Sequence, residues 1–519
     1  MTCLTVPISA KSIDLAKQQI LTAVKSGAGM LELRTDYLEN LTPETAAQLI
    51  RYSKNLPDAL PVITTCRDKS QGGAIDYPLD LRIRTLTAAV KAGSNLIDLE
   101  YQNLKQPGVK QKIKTALAEK SFTRLILSAH NFHSKFGDIK ELCEQILAGQ
   151  PDAIPKLVYK ANCIDDCFEA FDLLHNTDSD LITFCMGELG MTSRIIAKKL
   201  DSFVTFASLD EDSATAPGQI TIEKFKDLYH YDSITPDTRM YGLVGSPVAH
   251  SAGPTIHNAS FAAANLDKLY LPLNVLPGEE NFQSFMQNVI SRPWLGFHVF
   301  SVTLPHKQNA LQYTRQNDGC IEPLTEKIGA ANTLIIDTDR KLSAYNTDYA
   351  GAMQAIIAGI GSSEKLKNMT AAIIGAGGAA RAVIAGLDNA GAKITIYNRT
   401  VEKAENLARE FNCDYAGLDQ LKNLNAHLVV NCTSLGMSPN VNASPIPPEY
   451  LNKNMAVFDA IYNPPETMLL KNAKKIGAKT ISGLDMFVNQ AAEQFKLFTG
   501  QKPDKKLMRK KICECFFPE

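Results

Sequence analysis

The chain has 519 residues, of which 45% are hydrophobic and 21% are charged, and its 54 basic and 55 acidic residues give a net charge of −1. This length exceeds what one hydrophobic core spans and predicts about two or three domains, while the ordinary composition argues against a disordered or membrane-spanning protein. Because a balanced charge gives no field for steering onto nucleic acid or anionic lipid, we expect small-molecule partners and neither nucleic acid nor membrane. The sequence leaves the oligomeric state open, with a monomer as one option.

Eleven cysteines are scattered through apolar segments, and this odd number favours free thiols in a reducing compartment over disulfides. The N-terminal run MTCLTVPISA alternates like a strand and has no basic or Arg/Ser-rich leader, so we expect no signal or transit peptide and a cytoplasmic location. The close cysteine pairs at 163/167 and 513/515 lack Cys-x2-Cys spacing and a neighbouring histidine, so no metal is expected.

About the first 210 residues contain eight short runs rich in β-branched residues, separated by amphipathic stretches of helix length such as 12–26 and 79–92. The runs are CLTVPI, MLELR, PVITTCR, NLIDLE, RLILSAH, KLVYKA, LITFCMG and FVTFAS. This alternation is typical of a parallel sheet. Eight repeats in little more than 200 residues predict an α/β fold of the closed (β/α)8 barrel type.

Polar side chains recur at the predicted carboxyl ends of these strands, the face that carries the active site in such barrels. They are Glu32, Arg34, Arg67, His130, Arg194 and Gln219. Lys156 lies instead at the start of its run, where partial desolvation would favour the neutral amine as a Schiff-base nucleophile. A histidine within reach would move protons on and off the adduct, and three arginines would bind an anionic, oxygen-rich substrate.

At these residues the first module resembles type I 3-dehydroquinate dehydratase. The matching segments are Glu-Leu-Arg at 32–34, Thr-Cys-Arg at 65–67, Ser-Ala-His-Asn-Phe-His at 128–133, Pro-Lys at 155–156, Met-Thr-Ser-Arg at 191–194 and Ala-Pro-Gly-Gln at 216–219. The resemblance implies that Lys156 forms an imine with the substrate ketone and that His130 is the general acid/base. It implies substrate contacts for Glu32, Arg34, Arg67, Arg194, Thr215 and Gln219.

Two positions depart from that family. Gln71 stands where many members carry a glutamate. Glutamine in this place would remove a charge beside the proton relay and shift the pH optimum. Thr215 replaces a common serine and keeps the hydroxyl. After this module, the polar turn residues between 232 and 237 have no apolar face to bury. We therefore place the barrel at residues 1–232 and the start of a second module at 238.

From Met240 onward the pattern is βαβ with different spacing, and strands are expected at about 298–304 and 332–337. Lys307 follows the first of these strands, and Asp348 lies in a later Tyr-Asn-Thr-Asp segment. A lysine and an aspartate in one cleft can pass a proton to a carbonyl oxygen while hydride arrives from a cofactor.

The run AAIIGAGGAAR at 371–381 has the pattern of a buried strand, a glycine turn and a helix start, matching G-x-G-x-x-A. Such glycines let backbone N–H groups approach a pyrophosphate. The next strand ends in Asn398-Arg399-Thr400, about 20 residues on, where an acidic residue would bind the ribose of NAD. Because an arginine and two neutral groups stand there instead, we expect a 2′-phosphate and hence NADP.

The second module resembles shikimate dehydrogenase along essentially its full length. The matching segments are Gly-Ser-Pro-Val-Ala-His-Ser at 245–251, Val-Thr-Leu-Pro-His-Lys at 302–307, Gly-Ala-Ala-Asn-Thr at 329–333, Asn-Thr-Asp at 346–348, the glycine turn, Asn-Arg-Thr at 398–400, Asn-Cys-Thr-Ser-Leu-Gly-Met at 431–437, Tyr-Asn-Pro-Pro-Glu-Thr at 462–467 and Gly-Leu-Asp-Met-Phe-Val-Asn-Gln at 483–490. The resemblance implies a substrate domain at 238–347, with 485–519 packing back on it, and a Rossmann-type cofactor domain at 348–484.

The same resemblance implies roles for individual residues. Lys307 and Asp348 would be the catalytic pair. Substrate contacts are expected from Ser251, Thr303, Asn332 and Gln490. Cofactor contacts are expected from Gly375, Ala376, Gly377, Gly378, Ala379, Asn398, Arg399, Thr400, Thr433 and Gly483. Gly253 stands where the family usually has a second serine. The loss of that hydroxyl would weaken binding of the substrate carboxylate or leave room for the extra hydroxyl of quinate.

The two resemblances fit together chemically, because the dehydration product 3-dehydroshikimate is the ketone that the second module would reduce. We therefore predict a bifunctional shikimate-pathway enzyme that dehydrates 3-dehydroquinate and then uses NADPH to form shikimate. One alternative is a dehydratase fused to a catabolic quinate dehydrogenase. Another is a metabolite-sensing regulator built from retired enzyme domains, against which the retained Lys156, His130, Lys307 and Asp348 and the lack of a basic DNA-binding segment both argue.

Overall fold

A computed structural model describes residues 2–119, 122–249 and 251–517. The chain forms two compact units, one running up to Thr238 and including Leu273–Leu276, and the other comprising Arg239–Pro272 and the residues from Pro277 onward. His250 of the 245–251 segment lies outside the described residues. No helix in the described ranges is both long and apolar enough to cross a membrane.

All eight predicted strands of the first unit are confirmed, and they form one parallel sheet in which β8 follows β1 at one edge and β7 lies at the other. The strands are β1 (Cys3–Ile8), β2 (Met30–Arg34), β3 (Val62–Thr65), β4 (Leu96–Glu100), β5 (Arg124–Asn131), β6 (Ile154–Lys160), β7 (Ile182–Met186) and β8 (Val204–Phe206). A hydrogen bond from Phe203 N to Leu181 O, just before β8 and β7, brings the two edges together. The sheet is therefore the predicted barrel.

The helices of this unit alternate with its strands, as the sequence pattern predicts. They are α1 (Ile13–Lys25), α2 (Pro43–Lys54), α3 (Leu79–Ala92), α4 (Tyr101–Leu104), α5 (Val109–Glu119), α6 (Ile139–Gly149), α7 (Cys167–His175) and α8 (Met191–Ile195). Ser12 caps α1 by accepting the Leu15 N–H, and Gly93 ends α3 in the left-handed region with φ of 92°. Serine caps and left-handed glycines are strong local signals, so these two helices match their predicted bounds closely.

The interior of the barrel is built in layers, because alternate residues of each strand face inward. Apolar side chains occupy the layer near the strand starts, including Met30, Leu96, Ile126, Ile154 and Ile182. Two positions further along four of these strands stand Glu32, Asp98, Ser128 and Lys156, all buried. The barrel interior therefore has an apolar layer near the strand starts and a polar layer closer to the carboxyl ends of the strands.

The second unit begins with a six-stranded mixed sheet in the order β10-β9-β11-β13-β14-β12. Its strands are β9 (Arg239–Gly245), β10 (Lys268–Asn274), β11 (Phe297–Val302), β12 (Cys320–Ile321), β13 (Thr333–Ile336) and β14 (Leu342–Tyr345). Its helices are α9 (Gly253–Ala263), α10 (Glu279–Ile290), α11 (Lys307–Gln316), α12 (Pro323–Ile328) and α13 (Thr347–Ile360). The strands expected at about 298–304 and 332–337 are β11 and β13.

A second six-stranded sheet follows, with all strands parallel in the order β17-β16-β15-β18-β19-β20. Its strands are β15 (Thr370–Ile374), β16 (Lys393–Asn398), β17 (Asp414–Gly417), β18 (Leu428–Asn431), β19 (Ala456–Asp459) and β20 (Lys479–Ile481), and its helices are α14 (Gly378–Asn389), α15 (Val401–Phe411) and α16 (Met468–Ile476). This is the 3-2-1-4-5-6 order of dinucleotide-binding folds, and the turn after β15 lies where the strand order reverses. The predicted Rossmann-type fold is confirmed.

Two further helices, α17 (Gly483–Thr499) and α18 (Lys505–Phe516), end the described chain. They pack mainly against the first sheet of this unit, although Met486 of α17 also joins the buried core of the parallel sheet. One buried cluster joins the two helices to β9, α9, β10 and β11, and its members include Tyr241, Ile256, Phe261, Tyr270, Val299, Val488, Phe495, Phe498, Met508 and Ile512.

Candidate active sites

Every residue predicted to act in the barrel lines one open cavity of about 550 Å³ at the carboxyl ends of the strands. The predicted residues are Glu32, Arg34, Arg67, His130, Lys156, Arg194, Thr215 and Gln219. Gln71, Phe132, Phe184 and Phe206 also line it. The cavity therefore combines cations, carboxylates and one imidazole with aromatic walls.

Lys156 is the third residue of β6 rather than its first, and its side chain is 5% exposed. The predicted burial is present, but the surroundings are not apolar. The Nζ atom donates to Asp98 Oδ2 at 2.8 Å and to Glu32 Oε1 at 3.4 Å, and it lies 4.5 Å from the centre of the Phe206 ring. The amine is therefore buried as expected, but two carboxylates contact it.

Behind Lys156 lies a buried network of charges. Arg67 binds both oxygens of Asp98 at 3.0 and 2.7 Å and also donates to Glu100 at 3.0 Å. Arg82 joins Glu100 to Asp68, with N–O distances of 3.3 and 2.7 Å. Burial by itself would lower the pKa of Arg67, but Asp98 and Glu100 outweigh burial and raise it. Each of these buried cations is therefore paired with two carboxylates.

His130, near the end of β5, contacts one residue of the loop after β3. The Gln71 Oε1 atom lies 3.1 Å from His130 Nδ1 and accepts the His130 backbone N–H at 3.0 Å. Because an amide oxygen only accepts, Nδ1 carries the proton and Nε2 keeps a free lone pair. Burial, together with the nearby positive charges of Arg67 and Lys156, lowers the pKa of His130 well below its usual value. A neutral imidazole with a free Nε2 can act as a base.

The three arginines of the cavity are not equivalent. Arg34 pairs with both oxygens of Asp36 at 2.9 and 2.8 Å, and Arg67 is paired as described. In contrast, Nε and Nη2 of Arg194 have no hydrogen-bond partner among the described residues, although this residue is 1% exposed. Burial without an anionic partner lowers the pKa of Arg194 to about 10. A buried cation with free donors predicts that an anionic group of the substrate binds here.

The loop after β8 covers part of this cavity. Thr215 N donates to Gln219 Oε1 at 2.7 Å, and Gly187 N donates to Pro217 O at 3.0 Å. Gly218 has φ of 76°, and a Cβ there would lie 2.2 Å from Gly187 O. Only glycine fits this approach, which fixes Thr215 and Gln219 at the rim.

The second unit contains a larger cavity of about 930 Å³. Its lining includes eight of the predicted residues, namely Ser251, Thr303, Lys307, Asn332, Asp348, Ala379, Gly483 and Gln490. The other predicted cofactor residues lie at the turns after β15, β16 and β18, away from this lining.

Lys307 and Asp348 are brought together from the starts of α11 and α13. Lys307 Nζ lies 2.5 Å from Asp348 Oδ2, and Asn332 Nδ2 donates to Asp348 Oδ1 at 2.9 Å. Thr347, which the sequence did not single out, receives hydrogen bonds from Asn332 at 3.0 Å and from Gln490 at 3.2 Å. The predicted acid/base pair and two predicted substrate residues therefore form one connected network.

The side of this cavity near Gly253 holds residues that the sequence did not suggest. His257 stacks on Tyr270 with ring centres 4.6 Å apart, and its Nδ1 has no partner within the described ranges. Burial lowers the pKa of His257 to about 4, so this ring is neutral. A Cβ on Gly253 would lie 3.3 Å from Tyr270 Cε1 and 3.4 Å from Ser251 Oγ. The first of these distances is shorter than ordinary van der Waals contact, so a side chain at position 253 would require Tyr270 to shift slightly.

The glycine turn has the geometry that a pyrophosphate needs. Gly375 has φ of 107°, and a Cβ there would lie 3.0 Å from Thr433 Cγ2. Gly377 is the N-cap of the 12-residue helix α14, and a Cβ on Gly377 or Gly378 would meet no described atom within 4 Å. Open backbone at a helix N-terminus suits an anion. Arg399 and Thr400 are exposed at the end of β16, and Asn398 donates to Thr400 O at 2.8 Å.

Asp98, Glu100 and Ser128 are site residues that the sequence analysis missed. A signal was present for two of them, because the buried strand LIDLE carries carboxylates at alternate positions that share the inward face with Leu96. Ser128 carried a weaker signal, since a serine inside a buried strand is common. The contacts of Thr347, His257 and Tyr270 depend on side chains from distant segments and had no local signal.

Family models match both units of the chain. Type I 3-dehydroquinase matches residues 4–236, and the shikimate dehydrogenase substrate binding domain matches residues 243–334. Shikimate/quinate 5-dehydrogenase matches residues 359–445, and the shikimate 5′-dehydrogenase C-terminal domain matches residues 483–513.

Curated relatives and solved structures agree with these matches. The chloroplastic bifunctional 3-dehydroquinate dehydratase/shikimate dehydrogenase of Arabidopsis thaliana is 36% identical over 519 residues, covering 96% of this chain and 82% of the relative. The shikimate dehydrogenase (NADP(+)) of Methanosarcina barkeri is 39% identical and covers 53% of this chain and 98% of the relative. A crystal structure of shikimate dehydrogenase in complex with NADP+ covers 55% of this chain and 97% of its own, with 39% identity and a TM-score of 0.50.

Proposed function

This chain belongs to the family of bifunctional 3-dehydroquinate dehydratase/shikimate dehydrogenases, and on that basis we propose that each unit performs one of the two reactions. The barrel dehydrates 3-dehydroquinate to 3-dehydroshikimate. The second unit reduces this ketone to shikimate with NADPH. The observation that carries the proposal is the convergence of Lys156, His130 and Arg194 on one cavity and of Lys307 and Asp348 on another.

In the barrel, Lys156 forms an imine with the substrate ketone, and the protonated imine acidifies the neighbouring C–H group. His130 Nε2 removes that proton, and the hydroxyl on the next carbon leaves as water. Arg194 binds the substrate carboxylate, because its free donors lie in the same cavity. Glu32, Arg34, Arg67, Thr215 and Gln219 orient the ring.

In the second unit, Lys307 and Asp348 bind the oxygen of the ketone and supply the proton that it gains. Asn332 and Gln490 fix this pair through the Thr347 network, and Ser251 and Thr303 line the same cavity. NADPH supplies hydride when it is bound. The residues that fit it are the glycine turn (Gly375, Ala376, Gly377, Gly378 and Ala379), the 2′-phosphate side (Asn398, Arg399 and Thr400), and Thr433 and Gly483.

A coupled assay tests both assignments in one chain. We expect Lys156→Ala to abolish dehydration of 3-dehydroquinate while leaving the reduction of added 3-dehydroshikimate intact. Lys307→Ala should have the reverse effect. Activity that survives both changes would refute the assignments, and borohydride trapping with 3-dehydroquinate tests the imine separately.

We also propose the domain boundaries from these roles. The dehydratase comprises residues up to 232, the dehydrogenase substrate domain comprises 238–347 with the segment from 485, and the cofactor domain comprises 348–484. The shared cluster of α17 and α18 with β9–β11 supports the discontinuous substrate domain. Expression of residues 1–232 alone should yield an active dehydratase.

We propose that Gly253, in place of the family's usual second serine, allows quinate as a second substrate of the dehydrogenase. Quinate carries an additional hydroxyl on the carbon that bears the carboxylate, and Gly253, which lines the cavity with Ser251 and Tyr270, presents no side chain to it. Oxidation kinetics with shikimate and quinate decide this, and the lack of detectable quinate turnover would exclude it.

We further propose that the protein acts in the cytoplasm, with a monomer as one option for its oligomeric state. Eleven free cysteines fit a reducing compartment, although the plant relative is named as chloroplastic. Light scattering on the purified chain and cell fractionation test these two points.

A further inference from the structure

The carboxylate of Asp98, in the middle of β4, is bound from three sides inside the barrel. Arg67 contacts both oxygens at 3.0 and 2.7 Å, Ser128 Oγ donates at 2.6 Å, and Lys156 Nζ donates at 2.8 Å. The residue is 1% exposed. Because donors occupy both oxygens, the side chain is held in one orientation and the carboxylate is ionised.

Lys156 has a second carboxylate neighbour, but Asp98 is the nearer of the two. Glu32 Oε1 lies 3.4 Å from Nζ and also accepts the Thr65 hydroxyl at 2.8 Å. The Phe206 ring covers another side of the amine. Lys156 Nζ thus has two polar contacts, a close one with Asp98 and a longer one with Glu32.

We propose that Asp98 is a catalytic residue of the barrel reaction, the counter-ion of the protonated imine on Lys156. This inference rests on the proposed dehydratase function. An ammonium group and a ketone give a protonated imine and water, so the positive charge stays on the same nitrogen while its N–H groups fall from three to one. The remaining N–H donates to Asp98, which fixes the plane of the C=N bond and turns the neighbouring C–H group toward His130.

Arg67 and Ser128, which both donate hydrogen bonds to Asp98, moderate its effect on the imine. When His130 removes the proton, the imine nitrogen loses its positive charge and becomes part of a neutral enamine. A carboxylate with its full charge on this nitrogen would favour the imine and slow that step. Because Arg67 and Ser128 share the charge of Asp98, the carboxylate stabilises imine formation without holding the reaction at that stage.

Asp98→Asn tests the proposal, since it keeps the shape of the side chain and removes its charge. The variant and the unaltered chain are incubated with 3-dehydroquinate and borohydride, and the reduced adduct on Lys156 is measured by peptide mass. We expect the trapped fraction to fall about tenfold or more and dehydration kcat/KM to fall about 100-fold. Asp80→Asn on the surface of α3, with a side chain 62% exposed, is the matched control and should behave as the unaltered chain.

The outcomes separate this proposal from the one on which it rests. If the unaltered chain is not trapped, the dehydratase assignment fails and this inference fails with it. If the unaltered chain and Asp98→Asn are trapped equally, only the role of Asp98 is overturned. If thermal melting shows that Asp98→Asn does not fold, a crystal structure of the trapped unaltered chain decides. The adduct nitrogen should then lie within about 3.2 Å of an Asp98 oxygen, and a distance above about 4 Å overturns the proposal.

Discussion

The amide oxygen of Gln71 binds both the backbone N–H and the Nδ1–H of His130. One neutral acceptor thus fixes the position of the imidazole and its tautomer. The loop that carries Gln71 is itself held in place, because Asp68 accepts from Arg82 at 2.7 Å and from Asn103 at 3.0 Å. His130 is therefore oriented without an anion in direct contact, and burial together with nearby cations keeps its pKa low.

Gln71→Glu should move the acid limb of the dehydration profile to higher pH. A carboxylate beside the ring favours the imidazolium form and raises the pKa of His130. Since His130 acts as a base only when neutral, activity is then lost at a higher pH than in the unaltered chain, by about one pH unit. The measurement is kcat/KM for 3-dehydroquinate against pH. Gln71→Ala is the control, because it removes the acceptor without adding charge and should lower the rate across the profile. An unmoved acid limb in Gln71→Glu would contradict the role given to the neutral amide.

Arg194→Gln should weaken substrate binding and stabilise the fold at the same time. Loss of a charge-assisted bond to a carboxylate predicts an increase in the dehydration KM of about 10- to 100-fold. Nε and Nη2 of this buried cation lack hydrogen-bond partners, so its removal should raise the free energy of unfolding by about 1 kcal/mol even though its contact with the Phe184 ring is lost. Kinetics and denaturant titration measure the two effects. Arg51→Gln, on a side chain 51% exposed on α2, should change neither, and a destabilised Arg194→Gln would contradict the reading of Arg194 as an unpaired charge.

The barrel was predictable because its signals are local. The strands are short apolar runs, helices such as α1, α2 and α6 begin at a side-chain cap, and polar residues at strand ends lie on one face in any such barrel. His130, near the end of β5, could be named on this ground, whereas Lys156 lies inside β6 and Arg194 lies on the short helix α8 after β7. The glycine turn after β15 was predictable on the same grounds, since strand, turn and helix are contiguous.

The partners of these residues were not predictable. Asp98 and Lys156 are 58 positions apart, and their contact depends on the stagger between β4 and β6, which the pattern of either strand does not specify. Likewise, a sequence shows that Arg34, Arg67 and Arg194 are cations, but not that carboxylates pair with the first two and leave the third free. The state of a buried charge is set by packing between distant segments, so it follows only from the structure.

Arg399→Asp should reverse the cofactor preference of the dehydrogenase. The change removes the cation expected to bind the 2′-phosphate and introduces an acidic group that can bind a ribose hydroxyl. We expect the KM for NADPH to rise about 10- to 100-fold and NADH to become the better cofactor. Steady-state reduction of 3-dehydroshikimate with each cofactor measures this. Arg409→Asp on the exposed face of α15, paired with Glu405, is the control, and an unchanged preference in Arg399→Asp would show that another residue selects the cofactor.

Gly253→Ser should make the dehydrogenase more selective for shikimate over quinate. The new Cβ would lie 3.3 Å from Tyr270 Cε1 and 3.4 Å from Ser251 Oγ, so it fits after a small shift and places a second hydroxyl beside Ser251. This hydroxyl can donate to a substrate carboxylate, while the added volume displaces the extra hydroxyl of quinate. We expect the ratio of kcat/KM for shikimate to that for quinate to rise about tenfold or more. Gly253→Ala adds the volume without the donor, so it should reduce quinate turnover without improving the KM for shikimate. Equal effects of both variants on both substrates would mean that position 253 does not contact this end of the substrate.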